Sequence, residues 1–289
     1  MSYRVLQICL SHGWGGLEMY PSRIIPELRR QGWEVHGLAL AGSRVAESFR
    51  EAGMEPLVVS SRWRALLAVP RLLRYLKEHD IGVIHCHKSS DLRLGALLVS
   101  LRSSLRLLFT DHMGVTRPKK DLYHRWAYGK VTKLFSISDT TRQRNLAAFP
   151  LPPERIRRLY LGIDPAPYAP SLDDAARLAL RQELGVPKGA VSIGLPGRVT
   201  PGKGQRVWVE ALACLDEASP GIAWHGVLIG GMTAAEGSDE EFATELRQLV
   251  VELGLESRVT FTGFRRDLPR LFEALDIVCV PSSNEAFGL

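Results

Sequence analysis

The sequence of 289 residues contains little cysteine and no long apolar run. Its four cysteines, Cys9, Cys86, Cys214 and Cys279, are far apart and include no Cys-x-x-Cys pair, so a disulfide framework is not expected. Each stands in or beside an apolar stretch, which predicts reduced thiols in the core of a cytosolic protein. No uncharged segment approaches the ~18 residues of a membrane span, and no secretory signal is apparent. We therefore expect a cytoplasmic protein, either soluble or peripheral to a membrane.

The sequence also lacks a strong charge, internal repeats and low-complexity tracts. A net charge of +6 with 24% charged residues is moderate. This charge suits an anionic partner such as a nucleotide, a phospholipid or an acidic glycan. It gives no reason to expect nucleic acid as a partner.

Short runs rich in Val, Ile and Leu alternate with helical patterns almost throughout. In the first half the predicted strands are Arg4–Leu10, Glu34–Leu40, Pro56–Val59, Gly82–Cys86, Leu105–Thr110, Lys133–Ile137 and Ile156–Leu159. The predicted helical stretches between them are Leu17–Gln31, Val45–Ala52, Ala65–His79, Leu92–Ser103 and Thr140–Phe149. Pro26 is expected to kink the first of these, and Pro70 is unfavourable to one continuous helix in the third. Strands without polar alternation indicate a parallel sheet covered on both faces, wound by right-handed βαβ units into a Rossmann-like domain.

A change of composition at Asp164–Pro170 divides the chain. Three prolines in seven residues predict a stiff, non-helical connector. Strand and helix patterns then alternate again up to the apolar run Ile277–Val280. We therefore predict an α/β protein of two doubly wound, Rossmann-like domains, residues 1–166 and 167–289.

The segment "LPGRVTPGKG" at 195–204 resembles a nucleotide-triphosphate loop, but it ends in Gly204 where a magnesium-binding Ser or Thr should stand. A Walker-B-type carboxylate is also missing, because Asp276 precedes its strand rather than following it. A P-loop ATPase is therefore a weak alternative. Arg198 and Lys203 lie between a strand and a helix that starts near Gly204, a pattern that suits a diphosphate.

Other polar segments follow predicted strands, where open α/β sheets bind ligands. The loop at 11–16 is rich in glycine, which fits either an anion site or a tight turn. His85 and His87 share one face of a strand; strand-end hydrogen bonding is favoured over a zinc site because no acidic or thiol ligand is near. His112 could orient a substrate or move protons, or be structural. Glu285 could accept hydrogen bonds from sugar hydroxyls, or be a solvated loop residue.

Taken in order, these segments resemble the retaining glycosyltransferases of family 4, which have the GT-B fold. The likeness spans nearly the whole chain: "GWGGLE", "VIHCH", "FTDH", "FSISD", "LGID", "GRVTPGKG", "FTGF" and "PSSNEAFGL". No single motif is specific, but the ordered set is. The resemblance implies transfer of a sugar with retention, an acceptor-side N-terminal domain and a C-terminal domain that binds a nucleotide-diphosphate sugar.

The resemblance also implies roles for particular residues. Arg198 and Lys203 match the pair that neutralises the donor diphosphate, so no metal or other cofactor is expected besides the nucleotide-sugar co-substrate. Gly15 and Gly16 match the loop that approaches the donor phosphates and sugar. His112 matches the histidine placed near the donor sugar.

The last residues match only part of the family's donor site. Glu285 matches the first carboxylate of a Glu-x7-Glu motif that contacts the sugar, and Phe287 and Gly288 match the backbone turn beside it. The second carboxylate would fall at position 293, beyond the sequence. The resemblance therefore predicts an incomplete second domain in a truncated form of a longer enzyme, and activity of this form is open.

The sequence indicates less about the acceptor than about the donor. The segment 61–77 mixes basic, aromatic and aliphatic residues at helical spacing, which fits either an interfacial helix on anionic lipid or an ordinary amphipathic helix. Further basic residues cluster at 117–125 and 155–158, facing either solvent or a phosphorylated or lipid-linked glycan. We expect a glycosyltransferase of envelope polysaccharide or lipopolysaccharide assembly that uses a glycan or lipid-linked acceptor; the alternative is an inactive nucleotide-sugar-binding module.

Overall fold

The computed structural model describes residues 3–115 and 117–283 and divides them into two compact units. The first unit ends at Ile163 and the second begins at Asp164. Both are layered α/β structures built on a parallel sheet.

The first sheet has seven strands and the second has four. Those of the first unit are β1 (Tyr3–Cys9), β2 (Trp33–Leu40), β3 (Leu57–Val59), β4 (Val83–Cys86), β5 (Arg106–Asp111), β6 (Val131–Ser136) and β7 (Ile156–Arg158). Those of the second unit are β8 (Val191–Pro196), β9 (Trp224–Ile229), β10 (Val259–Phe261) and β11 (Ile277–Val278). The orders are β3-β2-β1-β4-β5-β6-β7 and β10-β9-β8-β11, and all pairs are parallel.

Helices connect successive strands in both units. The first unit contains α1 (Gly16–Arg23), α2 (Ile25–Arg30), α3 (Arg44–Glu51), α4 (Arg62–Leu67), α5 (Val69–Glu78), α6 (Leu92–Leu101), α7 (Leu122–Gly129) and α8 (Asp139–Ala148). The second contains α9 (Asp174–Glu183), α10 (Gln205–Ala218), α11 (Glu240–Glu252) and α12 (Leu268–Ala274). Single turns of 3-10 helix lie at Ser89–Asp91, Pro153–Arg155, Ala166–Tyr168, Pro201–Lys203 and Ala234–Glu236.

The inner strand β1 shows that the first sheet is covered on both faces. Leu6 and Ile8 belong to one buried cluster, while Val5 and Cys9 belong to another on the opposite face. Side chains alternate between the faces of a strand, so each cluster packs one helical layer against the sheet. Gln7 shares the face of Val5 and Cys9 and is a buried polar residue in the middle of this strand.

Two predicted helical stretches are interrupted at the expected prolines. Leu17–Gln31 and Ala65–His79 each form two helices, because Pro26 and Pro70 lie in the first turns of α2 and α5 and favour a new helix start. Two other local predictions were wrong. The connector at Asp164–Pro170 is not wholly non-helical, since residues Ala166–Tyr168 form a 3-10 turn. Cys214 is exposed and is therefore no core thiol, although Cys9 and Cys86 are buried.

None of the helices in the described part of the chain has the length and apolarity needed to cross a bilayer.

Candidate functional site

In each sheet the strand order reverses direction at one place, and the carboxyl ends of the strands there open a crevice. In the first unit this point lies between β1 and β4, and in the second between β8 and β11. Open α/β sheets bind ligands at such points. The predicted site residues that the structure describes all follow strands at or next to these two points.

The glycine-rich loop follows β1 and leads into α1. Gly15 is the residue before the helix, and its backbone is extended with φ −163°, so the conformation itself does not require glycine. A Cβ added at Gly16 would meet no atom within 4 Å. The backbone at the start of α1 is therefore open to a ligand, and its first N–H groups have no partner within the helix.

A half-buried ion pair that the sequence analysis missed supports this loop. The Ser11 hydroxyl donates to Glu18 Oε1 over 2.8 Å, and Lys88 Nζ donates to Ser11 Oγ over 2.7 Å. Lys88 Nζ also lies 3.4 Å from Glu18 Oε1. Lys88 comes directly after the His-Cys-His segment, so its place at a strand end was the available signal.

The buried carboxyl group of Asp91, on the connection between β4 and α6, binds the backbone directly after β1. Asp91 Oδ2 accepts a hydrogen bond from the Leu10 backbone N–H at 3.0 Å. Burial raises the pKa of Asp91 to about 6. Sequence reasoning did not single out this residue, because an Asp beside two serines at a helix start is a common capping pattern.

The three predicted histidines come together beside β1. The ring centroids of His85 and His87 are 4.1 Å apart, as their shared strand face predicted. His87 Nδ1 lies 3.3 Å from His112 Nε2, and His85 Nε2 is hydrogen-bonded to Thr110 Oγ1 at 2.8 Å. His112 is only 5% exposed. The strand-end segments of β4 and β5 therefore form one polar cluster rather than two separate features.

Burial keeps these imidazoles neutral. Loss of solvation lowers the pKa of His112 to about 4 and that of His85 to about 3, and it holds the pKa of His87 well below its usual range. Near neutral pH each ring therefore carries one N–H and one lone pair. Such rings can orient hydroxyl groups by donating or accepting hydrogen bonds.

The side chains best placed to hold a metal ion lie elsewhere. In the part of the chain that the structure describes, one group of three has its ligand atoms within 4.8 Å of one another, namely Glu34, His36 and His79. It stands at the amino end of β2, at the opposite edge of the sheet from the crevice. His36 is already bonded there to Glu34 at 3.0 Å and to the Tyr75 hydroxyl at 2.8 Å.

In the second unit, Gly204 explains the departure from a nucleotide-triphosphate loop. It precedes α10 with φ +79°, a left-handed conformation that glycine adopts at little cost. A Cβ placed there would stand 2.3 Å from the Pro281 carbonyl oxygen. Two constraints therefore favour glycine at position 204, the left-handed backbone and the nearby Pro281 carbonyl. Serine or threonine could not replace it without rearrangement.

The two predicted cations lie on this loop. Arg198 is exposed, with Nη1 3.5 Å from the Gly237 carbonyl oxygen, while Lys203 is half-buried at the end of the 3-10 turn Pro201–Lys203. Gln205, the first residue of α10, donates from Nε2 to the Arg198 carbonyl over 2.8 Å and so fixes the loop. Two cations therefore share one loop with the start of a 14-residue helix, where an anion is favoured.

The chain after β11 is attached to the same loop. The Ser283 backbone N–H donates to the Gly202 carbonyl at 3.3 Å. The remaining predicted residues, Glu285, Phe287 and Gly288, lie outside the described residues.

Comparison with known proteins identifies the family. Residues 14–167, more than half of the chain, match the family model described as Glycosyltransferase Family 4. The chain belongs to glycosyltransferase family 4. Residues 176–289 of this glycosyltransferase-family chain match a second model, Glycosyl transferases group 1. The predicted family is thus confirmed.

Solved structures confirm the GT-B fold. A glycosyltransferase of Rickettsia africae superposes with a TM-score of 0.84 at 18% identity, covering 97% of this chain and 73% of that one. HepE of Anabaena, solved with UDP and glucose, gives a TM-score of 0.75 at 22% identity, covering 97% and 74% of the two chains. At these identities the likeness concerns the fold.

A curated relative is closer in sequence but matches a shorter stretch. The D-inositol 3-phosphate glycosyltransferase of Corynebacterium efficiens is 37% identical over 139 residues, which are 47% of this chain and 32% of that protein. The match thus spans about a third of the relative's length.

Proposed function

We propose that this family 4 chain transfers a sugar from a nucleotide-diphosphate sugar, with retention at the anomeric carbon, to a glycan or lipid-linked acceptor. The observation that carries the proposal is the loop after β8, where Arg198 and Lys203 share one loop with the start of α10. HepE, which has the same fold, was solved with UDP and with UDP-glucose. A uridine diphosphate sugar is therefore the first donor to test.

The chemistry proposed for this loop is electrostatic. When the bond between the anomeric carbon and the diphosphate breaks, negative charge grows on the leaving phosphate oxygens. Two fixed cations and the helix N–H groups stabilise that charge more in the transition state than in the ground state. They would take the role of a metal ion, so transfer is proposed to be metal-independent.

Retention is proposed to come from attack on the face that the diphosphate leaves. The acceptor oxygen bonds to the anomeric carbon, and the acceptor's proton passes to the leaving phosphate oxygen. His112 and Glu285 are the residues proposed to contact the donor sugar. Gly15, Gly16, Phe287 and Gly288 would supply backbone contacts to the donor.

The acceptor is proposed to enter a cavity of about 370 Å³ in the first unit. Basic side chains line it, including Arg62, Arg93 and Lys119. The Arg93 guanidinium lies 5.2 Å from the ring centroids of both Trp63 and Tyr123, which holds it in place. Such a lining supports an acceptor that carries phosphate, and we propose an acceptor of envelope polysaccharide or lipopolysaccharide assembly.

The same region supports a peripheral contact with an anionic membrane. Trp63 on α4 is 69% exposed, and Leu67 and Leu122, on α4 and α7, are 82% and 85% exposed. Apolar side chains among basic ones suit the headgroup region of a bilayer. We propose that the enzyme works at the cytoplasmic face of the membrane, where a lipid-linked acceptor is presented.

Donor binding is tested first by calorimetric titration of this chain with UDP. Arg198→Gln and Lys203→Gln are expected to weaken binding about tenfold or more each, because charge-assisted contacts to phosphate contribute ~1.5–3 kcal/mol. Arg206→Gln is the matched control, since its guanidinium pairs with Glu245 on the helix surface at 3.1 Å. Unchanged affinity in both loop variants would disprove the diphosphate assignment.

Transfer is tested in an activity assay with UDP-glucose and other donors. Activity that persists in excess chelator, and falls ~10²–10³-fold in Arg198→Gln, supports the proposed mechanism. UDP binding without transfer or donor hydrolysis would instead favour an inactive nucleotide-sugar-binding module. Magnesium-dependent ATP turnover would favour the P-loop alternative.

Membrane contact is tested by vesicle flotation. The chain is expected to float with vesicles containing anionic phosphatidylglycerol and not with pure phosphatidylcholine. Leu122→Glu should reduce flotation several-fold, because it places a negative charge on the exposed face of α7. Val251→Glu, on the exposed surface of α11, is the control and should float like the wild type. Equal flotation of both variants would contradict the proposed surface.

A further inference from the structure

A chain of hydrogen bonds leads from the centre of the first sheet to His112. Gln7 Oε1 lies 2.7 Å from His87 Nε2, and His87 Nδ1 lies 3.3 Å from His112 Nε2. These three side chains are 0%, 1% and 5% exposed. They come from β1 and from the segments directly after β4 and β5, so residues far apart in sequence form one buried unit.

The chemistry at the Gln7 end fixes the direction of every bond. A carbonyl oxygen can only accept, so His87 Nε2 must carry the hydrogen and donate to Gln7. A neutral imidazole has a single N–H, so His87 Nδ1 then has a lone pair and accepts. His112 Nε2 must therefore donate to it. The remaining nitrogen, His112 Nδ1, is left with a lone pair.

Two atoms of the hydrogen-bonded trio Gln7, His87 and His112 are among the buried side-chain atoms that have no partner in the described residues. They are His112 Nδ1 and Gln7 Nε2. Each such atom costs roughly 1–3 kcal/mol. A buried polar atom without a partner requires an explanation, and a ligand bound at the switch point of the sheet can supply the missing partner of His112 Nδ1. The ring of Tyr20, 5.3 Å from that of His112, holds it edge-on from the side of α1.

We propose that Gln7 and His87 are positioning residues that hold His112 in the tautomer whose Nδ1 accepts a hydrogen bond from a hydroxyl of the bound sugar. This inference rests on the proposed function, in which His112 faces the donor sugar. It also predicts selectivity among donor sugars, because a donor that lacks this hydroxyl leaves the Nδ1 lone pair unsatisfied and is rejected.

The tautomer can be measured without any activity. In a ¹⁵N-histidine-labelled sample of this chain, long-range ¹H–¹⁵N spectra distinguish a protonated ring nitrogen from one with a lone pair. His112→Asn identifies the His112 signals by their loss. We expect hydrogen on His112 Nε2 and a lone pair on Nδ1 at pH 7. Hydrogen on Nδ1 would overturn the proposal, since it would mean that the Gln7 amide is oriented the other way.

Two substitutions test whether the hydrogen bond to Gln7, rather than side-chain packing alone, sets the His112 tautomer. Gln7→Met keeps the volume but removes the acceptor, so His112 is expected to show a mixture of tautomers. Thr110→Val is the matched control, because it removes only the partner of His85 and should leave the His112 tautomer unchanged. If Gln7→Met leaves that tautomer as it was, Gln7 has no positioning role. His87→Phe provides a second test should Gln7→Met fail to fold.

The consequence for function is measured in the same sugar-transfer assay. Gln7→Met is expected to lower kcat/KM for transfer about tenfold, the equivalent of one hydrogen bond of ~1.4 kcal/mol, while Thr110→Val stays within about twofold. Equal rates for Gln7→Met and wild type would overturn the positioning role. An enzyme that does not transfer sugar at all would refute the proposed function instead, and the tautomer measurement would still decide the inference.

Discussion

At the scale of single residues, Gly204 stands where an ATP-binding loop has a hydroxyl residue, and the backbone itself requires glycine at this position. The sequence "PGKG" lacks the hydroxyl of an ATP site, and sequence reasoning attributed this to a different phosphate ligand. The structure adds an independent physical cause. The left-handed φ of +79° and the Pro281 carbonyl oxygen, 2.3 Å from the place of a Cβ, both exclude a larger residue.

Gly204→Ser is therefore expected to destabilise the second unit rather than to create a magnesium site. The strained backbone costs roughly 1–3 kcal/mol, and displacing the Pro281 carbonyl adds to it. Gly202→Ser is the control, because a Cβ there meets no atom within 4 Å. Urea unfolding should separate the two variants by at least ~2 kcal/mol. Equal stabilities would show that the loop adapts easily.

His112 is expected to make the first unit sensitive to acid. Burial lowers the pKa of His112 to about 4, so below its ordinary value of about 6.5 the unfolded chain binds more protons than the folded one. The free energy of unfolding therefore falls as the pH drops from about 6.5 towards 4, by roughly 2 kcal/mol from this residue at pH 5. The raised pKa of Asp91, caused by burial, acts in the opposite direction.

The comparison that isolates His112 is a double difference. The free energy of unfolding is measured by urea titration at pH 7 and pH 5 for wild type and for His112→Gln. Since Asp91 titrates in both proteins, its contribution cancels. The wild type should lose about 2 kcal/mol more than the variant between the two pH values. Equal losses would mean that His112 titrates normally in the folded state.

At the scale of elements, most strands and helices could be predicted, because apolar periodicity and helix-breaking prolines are local signals. The helix α7 was not predicted; Leu122–Gly129 is only eight residues long and follows a basic stretch, so its local pattern is short. The histidine cluster was predicted only as separate pieces. Its hydrogen bonds join positions 7, 87 and 112, and no local pattern states which strand ends are neighbours.

The hydrogen bonds of Asp276 at the amino end of the second sheet were not predicted either, because no local pattern shows which segments are neighbours. Asp276 precedes β11 and accepts from the Ser192 backbone N–H at 2.8 Å and from Arg181 at 2.9 Å. Burial alone would raise the pKa of this carboxyl, but those hydrogen bonds outweigh it and hold the pKa below its usual range. It thus links β11 to β8 and to α9.

Asp276→Asn is expected to destabilise the second unit by ~1–2 kcal/mol, a value reduced because the carboxyl is partly exposed to solvent. The loss should be smaller at low pH, where the wild-type carboxyl is itself protonated. Asp216→Asn, which removes the surface partner of Arg258, is the control and should cost under ~1 kcal/mol. Chemical denaturation of the three proteins compares their free energies of unfolding. A larger loss of stability in Asp216→Asn than in Asp276→Asn would contradict the interpretation.

At the scale of the whole molecule, each unit has the means to fold by itself. The buried clusters of the first unit flank β1, and those of the second flank β8 and β9. A domain with its own core folds cooperatively, and a ligand stabilises only the domain that binds it. The predicted division at residues 166 and 167 therefore leads to a test of where the donor binds.

Calorimetry of the chain with and without UDP performs this test. At a UDP concentration of 100 times the Kd, binding adds ~2.7 kcal/mol to the binding unit, which corresponds to a rise in Tm of roughly 10 °C or more for a domain of this size. We expect the transition of the second unit to rise more than that of the first, because the first unit is proposed to add only the backbone contacts of Gly15 and Gly16 to the donor. A fragment of residues 1–166 should unfold cooperatively and respond to UDP far less than the whole chain. A response as large as that of the whole chain would show that the first unit alone accounts for UDP binding and would contradict the assignment of Arg198 and Lys203, because neither residue is present in the fragment.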